Sequence, residues 1–348
     1  MNSLSNHIKQ DKFKLSICIA TYKRGAYIAQ TLDSIICQLQ PIVEIIVVDG
    51  ASPDNTSEVV ERYAAKYPCI TYYRETENSG VDRDYDKAIQ YASGEYCWLM
   101  TDDDLMLENA IDRVLEKCDS INDLIVVNAL VKNNNLSATY NESLLKITNN
   151  GVYTSKSVNQ FYRDCTRYLS FIGGVVTKRD FWLGRDRATY YGTAFIHIGV
   201  LLQLPPPRQI SVISKPLIAI RYGNAMWKPQ TFKIWMKNWP SLIGSFGHIP
   251  LNDRLKITQN SFFGFIKQLI IYRAQGYYTY ADYLKFNYRF ISFVPYIVSV
   301  IPVKLINGIL SASLYLFKSK SKMLIYDLAT SKYSTKISKL VANKLGIL

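Results

Sequence analysis

The chain has 348 residues, 48% of them hydrophobic and 20% charged, with a formal net charge of +13. That length holds one large domain or two smaller ones, and the apolar share excludes an intrinsically disordered chain. The charge is uneven: residues 251–348 carry 14 Lys+Arg and 3 Asp+Glu, a net of +11, which leaves +2 for the first 250 residues. A basic C-terminal region seeks phosphate, whether on nucleic acid, anionic lipid or a charged substrate. Met1 to Lys14 is polar and charged, without the apolar stretch of a secretory signal. The six cysteines form no C-x-x-C pair. They read as reduced thiols and point to the cytoplasm.

In chain order, LSICIAT (15–21) reads as a buried strand and AYIAQTLDSIICQ (26–38) as a helix. VEIIVVDG (43–50) is a strand ending in Asp49 and Gly50, and SPDNTSEVVERYAAKY (52–67) a capped helix with Pro53 near its start. CITYYRE (69–75) is a strand, VDRDYDKAIQYAS (81–93) a helix, EYCWLMT (95–101) a strand, LENAIDRVLEKC (107–118) a helix and DLIVVNA (123–129) a strand. Residues 130–150 read as a polar loop, 157–169 as a helix, and 170–182 as a strand with a glycine pair that enters a further helix. GTAFIHIGVLLQL (192–204) looks helical, and KPLIAIRYGNAMW (215–227) a strand running into a polar loop.

This alternation predicts an α/β, Rossmann-like, mostly parallel sheet flanked by helices. Ligands of such sheets bind beyond the carboxyl ends of the strands. Thr21-Tyr22-Lys23-Arg24, Asp49, Arg74-Glu75 and the run Asp102, Asp103, Asp104 all follow strands, so one crevice is expected to gather them. Three adjacent carboxylates need a cation or water. Hard divalent ions such as Mg2+ or Mn2+ prefer such oxygens and keep a substrate phosphate as a further ligand. The D-x-D pair Asp102 and Asp104 suits that role; the plainer alternative is that Asp103 or Asp104 caps a helix over 105–118. Asp49 is placed to accept a hydrogen bond from a pyrimidine, either uracil N3–H or the cytosine amine, or else to cap the next turn.

FISFVPYIVSVIPVKLINGILSASLYLF (290–317) carries one charge, Lys304, but Pro295, Pro302 and Gly308 interrupt it. Two short helices in a membrane interface are expected there, with KSKSK (318–322) on anionic headgroups; packed core helices are the alternative. The proline-broken apolar run and the absence of a nucleic-acid motif speak against nucleic acid as the partner. The expected divisions are a tail (1–14), an α/β domain (15–229, in halves 15–130 and 131–229) and a helical region (230–348).

The ordered segments SICIATYKRGAYIAQTLDSI, VEIIVVDGASPDNT and ENSGVDRDYDKAIQYASGEYCWLMTDDD resemble family 2 glycosyltransferases with the GT-A fold, closely over about 14–130 and loosely over about 170–227. The resemblance implies a nucleotide-sugar donor, Mn2+ or Mg2+ and a hydroxyl acceptor. It implies that Thr21, Tyr22 and Arg24 line the nucleotide pocket and that Asp49 contacts the base. Arg83 would lie near the base or diphosphate. Asp102 and Asp104 would flank ribose and metal, with Asp103 between them in the metal-binding triplet. The chain departs from the pattern where many members have A-R-N and it has Asp84-Tyr85-Asp86. The usual Glu-Asp pair is also not evident, which makes His197 the matching base and Asp186 its rival. Arg221, Asn224 and Trp227 would close over diphosphate or acceptor, or form a surface loop.

Within the family, GVDRDYDKAI, WLMTDDDLM and KPLIAIRYGNAMW look most like O-antigen dideoxyhexosyl (abequosyl) transferases. That implies a CDP-sugar, a polyprenyl-diphosphate-linked oligosaccharide acceptor and a peripheral place on the cytoplasmic face of the inner membrane. A sugar nucleotidyltransferase would carry a Gly-rich loop and Pro-Lys where this chain has TYKRGAY. An inactive scaffold stays open because the Glu-Asp pair is missing.

Overall fold

The structure, a computed structural model, describes residues 13–259, 261–286, 293–317 and 321–348. The expected N-terminal tail, apart from Phe13 and Lys14, lies outside them, as do residues 290–292 of the apolar run and residues 318–320 of KSKSK. Two compact units form, Met1–Ala129 with Ser143–Ile220 and Leu130–Glu142 with Arg221–Leu348. The division thus falls at Ile220/Arg221 rather than at 229/230, and segment 130–142 belongs to the second unit.

In the first unit, β1 (Leu15–Thr21) and β2 (Val43–Asp49) are buried at every residue. Continuous Ile and Val runs are what a sheet covered on both faces selects. β3 (Ile70–Arg74) and β4 (Tyr96–Met100) extend it in parallel, with α1 (Ile28–Ile36), α2 (Thr56–Lys66) and α3 (Val81–Tyr91) as crossovers. Two of the polar residues inside this layer satisfy each other: Ser16 donates its hydroxyl to Glu44 Oε1 at 2.5 Å, and the same oxygen accepts the Ser93 N–H at 2.6 Å. Register places Thr21 beside Asp49, and Asp49 beside Arg74. Ile19 pairs with Met100, so Thr101 to Asp104 leave the sheet at the same rim.

The remaining elements are β5 (Leu105–Met106), α4 (Ala110–Leu115), β6 (Leu124–Lys132), β7 (Thr139–Asn141), β8 (Gly151–Thr154), α5 (Val158–Cys165), β9 (Val175–Lys178), α6 (Arg179–Leu183), α7 (Ile196–Leu201) and β10 (Gln209–Arg221). The sheet order is β3-β2-β1-β4-β9-β6-β10-β5, with β8 on β10 and β7 on the end of β6. β9 runs antiparallel to both β4 and β6. The fold is therefore α/β with a mostly parallel sheet, closed by antiparallel strands. The helix expected over 107–118 is shortened to α4; the Leu107 N–H donates to the Leu217 carbonyl at 2.8 Å, and Leu105 and Met106 before it pair with β10. No aspartate of the triplet caps it; Asn109, in left-handed backbone (φ 61°), stands at its start. All six cysteines are free thiols.

The second unit is helical after β10: α8 (Thr231–Lys233), α9 (Trp239–Ser245), α10 (Leu251–Thr258), α11 (Phe262–Gln275), α12 (Tyr280–Phe286), α13 (Phe293–Val300), α14 (Val303–Leu316), α15 (Lys322–Thr330) and α16 (Lys336–Lys344). Pro302 separates α13 from α14, which bend by 98° to each other. Among the described residues no single helix is long and apolar enough to cross a membrane. One side of α14 is packed: Asn307 is fully buried and donates to the carbonyls of Ala274 (3.1 Å) and Leu328 (3.0 Å). The other side leaves Leu305, Ile309 and Leu316 exposed, and Phe293 and Val300 of α13 are exposed as well.

Candidate functional site

The loop after β1 is pinned to the loop after β2. Lys23, in left-handed backbone (φ 56°), donates its N–H to the Ser52 hydroxyl at 2.9 Å, and the Arg24 N–H reaches the Thr56 hydroxyl at 2.8 Å. Gly25 leaves room here for the Asn55 side chain, whose Oδ1 would lie 1.9 Å from an added Cβ. This fixes Arg24, whose guanidinium meets the aspartates: Nε lies 3.2 Å from Asp102 Oδ1 and Nη2 3.3 Å from Asp103 Oδ2. Both ends are nearly buried, so the pair sits in low dielectric where charge counts. Burial, followed by the charge of Asp103, pushes the Asp102 carboxyl well up from the ordinary carboxylate range, with Arg24 opposing.

Asp104 turns elsewhere. Its Oδ2 accepts the Thr101 hydroxyl at 2.5 Å, and its carbonyl accepts the Thr31 hydroxyl of α1 at 2.8 Å. Among the described residues no three His, Cys, Asp or Glu side chains converge as a metal cage. The residues still fit a hard divalent ion, because Mg2+ and Mn2+ are held by one or two carboxylates plus substrate phosphates.

Asp49 is fully buried between two donors: Oδ1 accepts the Ser52 N–H and Oδ2 the Tyr72 hydroxyl, each at 2.8 Å. Thr21 is buried beside it and Tyr22 half-buried, with the Lys23 ammonium 5.1 Å from the Tyr22 ring centre. Arg83 is exposed on α3, stacked 4.4 Å from the Tyr191 ring centre. Arg221 belongs to the second unit, where its Nη1 donates to the Asn134 carbonyl at 2.8 Å.

The two expected bases are placed differently from that role. His197 is buried inside α7 with Nε2 donating to the Leu169 carbonyl at 2.8 Å, while Nδ1 has no hydrogen-bond partner. Burial drops its pKa to about 4. Asp186 is exposed and accepts the Thr189 N–H at 3.3 Å in a turn, which lowers its pKa. An apolar helical run with one histidine marks a core residue here. Because the folded pKa of His197 lies below its unfolded value, its contribution to stability is complete above pH 6.5 and is lost as pH falls toward 4. Denaturation of wild type at pH 7.5 and 4.5 is expected to show a drop larger by roughly 2–3 kcal/mol than that of His197→Leu. Equal drops would show that the ring titrates normally.

Three residues that sequence reading left without a role organise the site's flank. Asp82 and Asp86, one turn apart on α3, face residues 182–196. Asp82 accepts the N–H groups of Ala194 (2.9 Å) and Ile196 (3.1 Å). Asp86 accepts Trp182 Nε1 (2.9 Å) and the Tyr191 hydroxyl (2.5 Å), and pairs with Arg187 Nε at 3.0 Å. Asp84, on the opposite face, accepts the Ser79 hydroxyl at 3.0 Å. The signal was present: acids at every second position of a helix fall on two faces.

The α/β fold, a mostly parallel sheet flanked by helices, matches that of GT-A glycosyltransferases. The fold is shared with S. aureus TarS residues 1-349 in complex with UDP (TM-score 0.55, 16% identity, 96% of this chain and 92% of that one). It is also shared with the mannosyltransferase PcManGT from Pyrobaculum calidifontis in complex with GDP-Man and Mn2+ (TM-score 0.50, 17% identity, 97% and 88%). Residues 16–174 match Glycosyl transferase family 2, and this match, with the relatives and structural neighbours, supports a glycosyltransferase. Among curated relatives, abequosyltransferase RfbV of Salmonella typhimurium is 27% identical over 60% of this chain and 67% of its own length. Minor teichoic acid biosynthesis protein GgaB of Bacillus subtilis is 29% identical over 31% of this chain, but that match spans 12% of GgaB.

Proposed function

We propose that the chain transfers a sugar from a nucleoside-diphosphate donor, of the CDP-dideoxyhexose kind, to a hydroxyl of a polyprenyl-diphosphate-linked oligosaccharide in cell-surface polysaccharide synthesis. One observation carries the reading: Arg24 lies against Asp102 and Asp103 at the rim where Thr21, Asp49 and Arg74 stand side by side. A cation and carboxylates at one point suit a metal–diphosphate, which has both charges. In the reaction the bond from the anomeric carbon to the diphosphate oxygen breaks, leaving its electron pair on the diphosphate. The acceptor oxygen forms the new bond and passes its proton to the departing diphosphate oxygen, which has gained that electron pair. Asp102, Asp103 and Asp104 are the residues that would hold Mn2+ or Mg2+, at most two at once. When bound, the ion neutralises the departing diphosphate. Arg24 orients the carboxylates and adds positive charge, and Asp49 stiffens the floor under the base. Likeness to an abequosyltransferase supports the dideoxyhexose donor. The test is calorimetry of CDP, UDP, GDP and dTDP with and without Mn2+. Metal-dependent binding of at least one is expected; binding of none would overturn the reading in favour of an inactive scaffold.

The acceptor's lipid places the enzyme on the cytoplasmic face of the membrane in this reading, and α13–α14 supply a surface for it. Phe293, Leu316 and Phe317 are 71%, 73% and 85% exposed, with the exposed Lys304 on the same helix pair. Apolar side chains flanked by lysine suit an anionic bilayer interface. The chain is expected to float with anionic phospholipid vesicles, and the triple substitution Phe293→Asp, Leu316→Asp, Phe317→Asp to cut that fraction at least tenfold. Undiminished flotation of the variant would refute the surface.

A further inference from the structure

Asp49 leaves the choice of base open, since uracil and cytosine each offer it a donor. Both its oxygens are moreover engaged, by Ser52 and Tyr72. The neighbouring carboxylate is not saturated. Asp84 is 3% exposed; its Oδ1 accepts from Ser79, and its Oδ2 points at Gly50, the residue that follows Asp49. A Cβ at Gly50 would lie 2.7 Å from Asp84 Oδ2 and 3.8 Å from Asn78 Cγ. The missing Cβ of Gly50 leaves room for both side chains beside the end of β2. Asn78 Oδ1 accepts the Gly80 N–H at 2.9 Å, which assigns the amide orientation and leaves its Nδ2 as a donor.

The strand end thus offers an acceptor and a donor side by side. Cytosine presents the complement, an amine donor (N4) next to an acceptor (N3). Uracil presents the reverse, an acceptor (O4) next to a donor (N3–H). We propose that Asp84 and Asn78, flanking Gly50, read the Watson–Crick edge of the donor's base and make the chain selective for cytidine over uridine diphosphates. The inference rests on the proposed donor site and specifies its ligand. Burial, first, pushes the Asp84 carboxyl up to about 6, with Ser79 and Lys87 opposing and Glu75 and Asp49 adding to it. It is therefore ionised at neutral pH, where it attracts an amine and repels a carbonyl oxygen. A site built to pair a polar group penalises the analogue that lacks it.

The test is calorimetry of the full chain with Mn2+ and three probes: CDP, UDP and 2-pyrimidinone riboside diphosphate, which lacks the exocyclic amine. On wild type, CDP is expected to bind about 10- to 100-fold more tightly than either of the others. Asp84→Asn is expected to weaken CDP at least tenfold and bring the CDP/UDP ratio near one. CDP and the amine-free analogue binding equally on wild type would overturn the inference, with no dependence on how any variant folds. UDP binding as tightly as CDP on wild type, or an unchanged ratio in Asp84→Asn, would overturn it and leave the donor site standing. Failure of wild type to bind CDP, UDP, GDP or dTDP would overturn the donor site and this inference together.

Discussion

Asp102→Ala is expected to lower Mn2+-dependent nucleotide affinity at least 100-fold while leaving the thermal midpoint within a few degrees of wild type. The two halves of that result have separate causes. Asp102 is a nearly buried carboxylate at the rim, held by Arg24 at 3.2 Å, so in the proposed reading its loss removes a carboxylate that would hold the metal. Yet Arg24 keeps Asp103 at 3.3 Å, so no buried cation is orphaned, and one of three crowded negative charges is gone. Stability is expected to survive for that reason. Calorimetry with CDP and Mn2+, alongside a melting curve, reads both. Unchanged affinity with Mn2+ would remove Asp102 from the metal site, and a collapsed midpoint would show that its role is structural.

Asp86→Ala is expected to do the opposite, costing about 3–5 kcal/mol of stability and loosening residues 182–191. Asp86 is 1% exposed and serves Trp182 Nε1, the Tyr191 hydroxyl, Gln90 Nε2 and the Arg187 guanidinium. Alanine strands a buried indole N–H and a guanidinium without a counter-charge, the case in which breaking a buried pair is most damaging. Asp86→Asn keeps the shape but puts an amide where only acceptors work, and should fall in between. Urea denaturation gives the stability, and tryptic cleavage after Arg185 and Arg187 gives the loosening. Wild-type midpoints and cleavage rates in Asp86→Ala would show that the cluster holds nothing together.

Strands β1, β2 and β4 are readable because each is an apolar run bounded by turns and buried throughout, so local pattern and tertiary environment agree. The rim followed from topology: strand ends of a parallel sheet share an edge, so Arg24 and the aspartates were expected together, as they are. Other features depend on partners distant in sequence. The direction of β9 is set by Cys97–Thr177 and Val126–Val175 pairing, which a four-residue strand does not announce. β5 is two residues long and exists because Ile218 and Ala219 pair with it. His197 misled because chemistry was assigned by residue type, whereas a carbonyl 28 positions earlier takes its ring nitrogen. The α3 acids were seen as a departure from a family pattern. Their helical phase, which divides them between Gly50 and Trp182, was the clue to their work.

The antiparallel β9 bears on how this protein is cut. It fills the gap between β4 and β6, yet it begins at Val175, one residue past the matched family segment of 16–174. A fragment trimmed to that segment would keep Arg24 and every rim aspartate but strip the neighbour from YCWLM, a fully buried apolar strand. Its unpaired N–H and C=O groups would then be an open template for self-association. Insolubility of such a fragment would report a missing edge partner rather than a defective donor site, and extending it past Lys178 restores the strand that covers the edge.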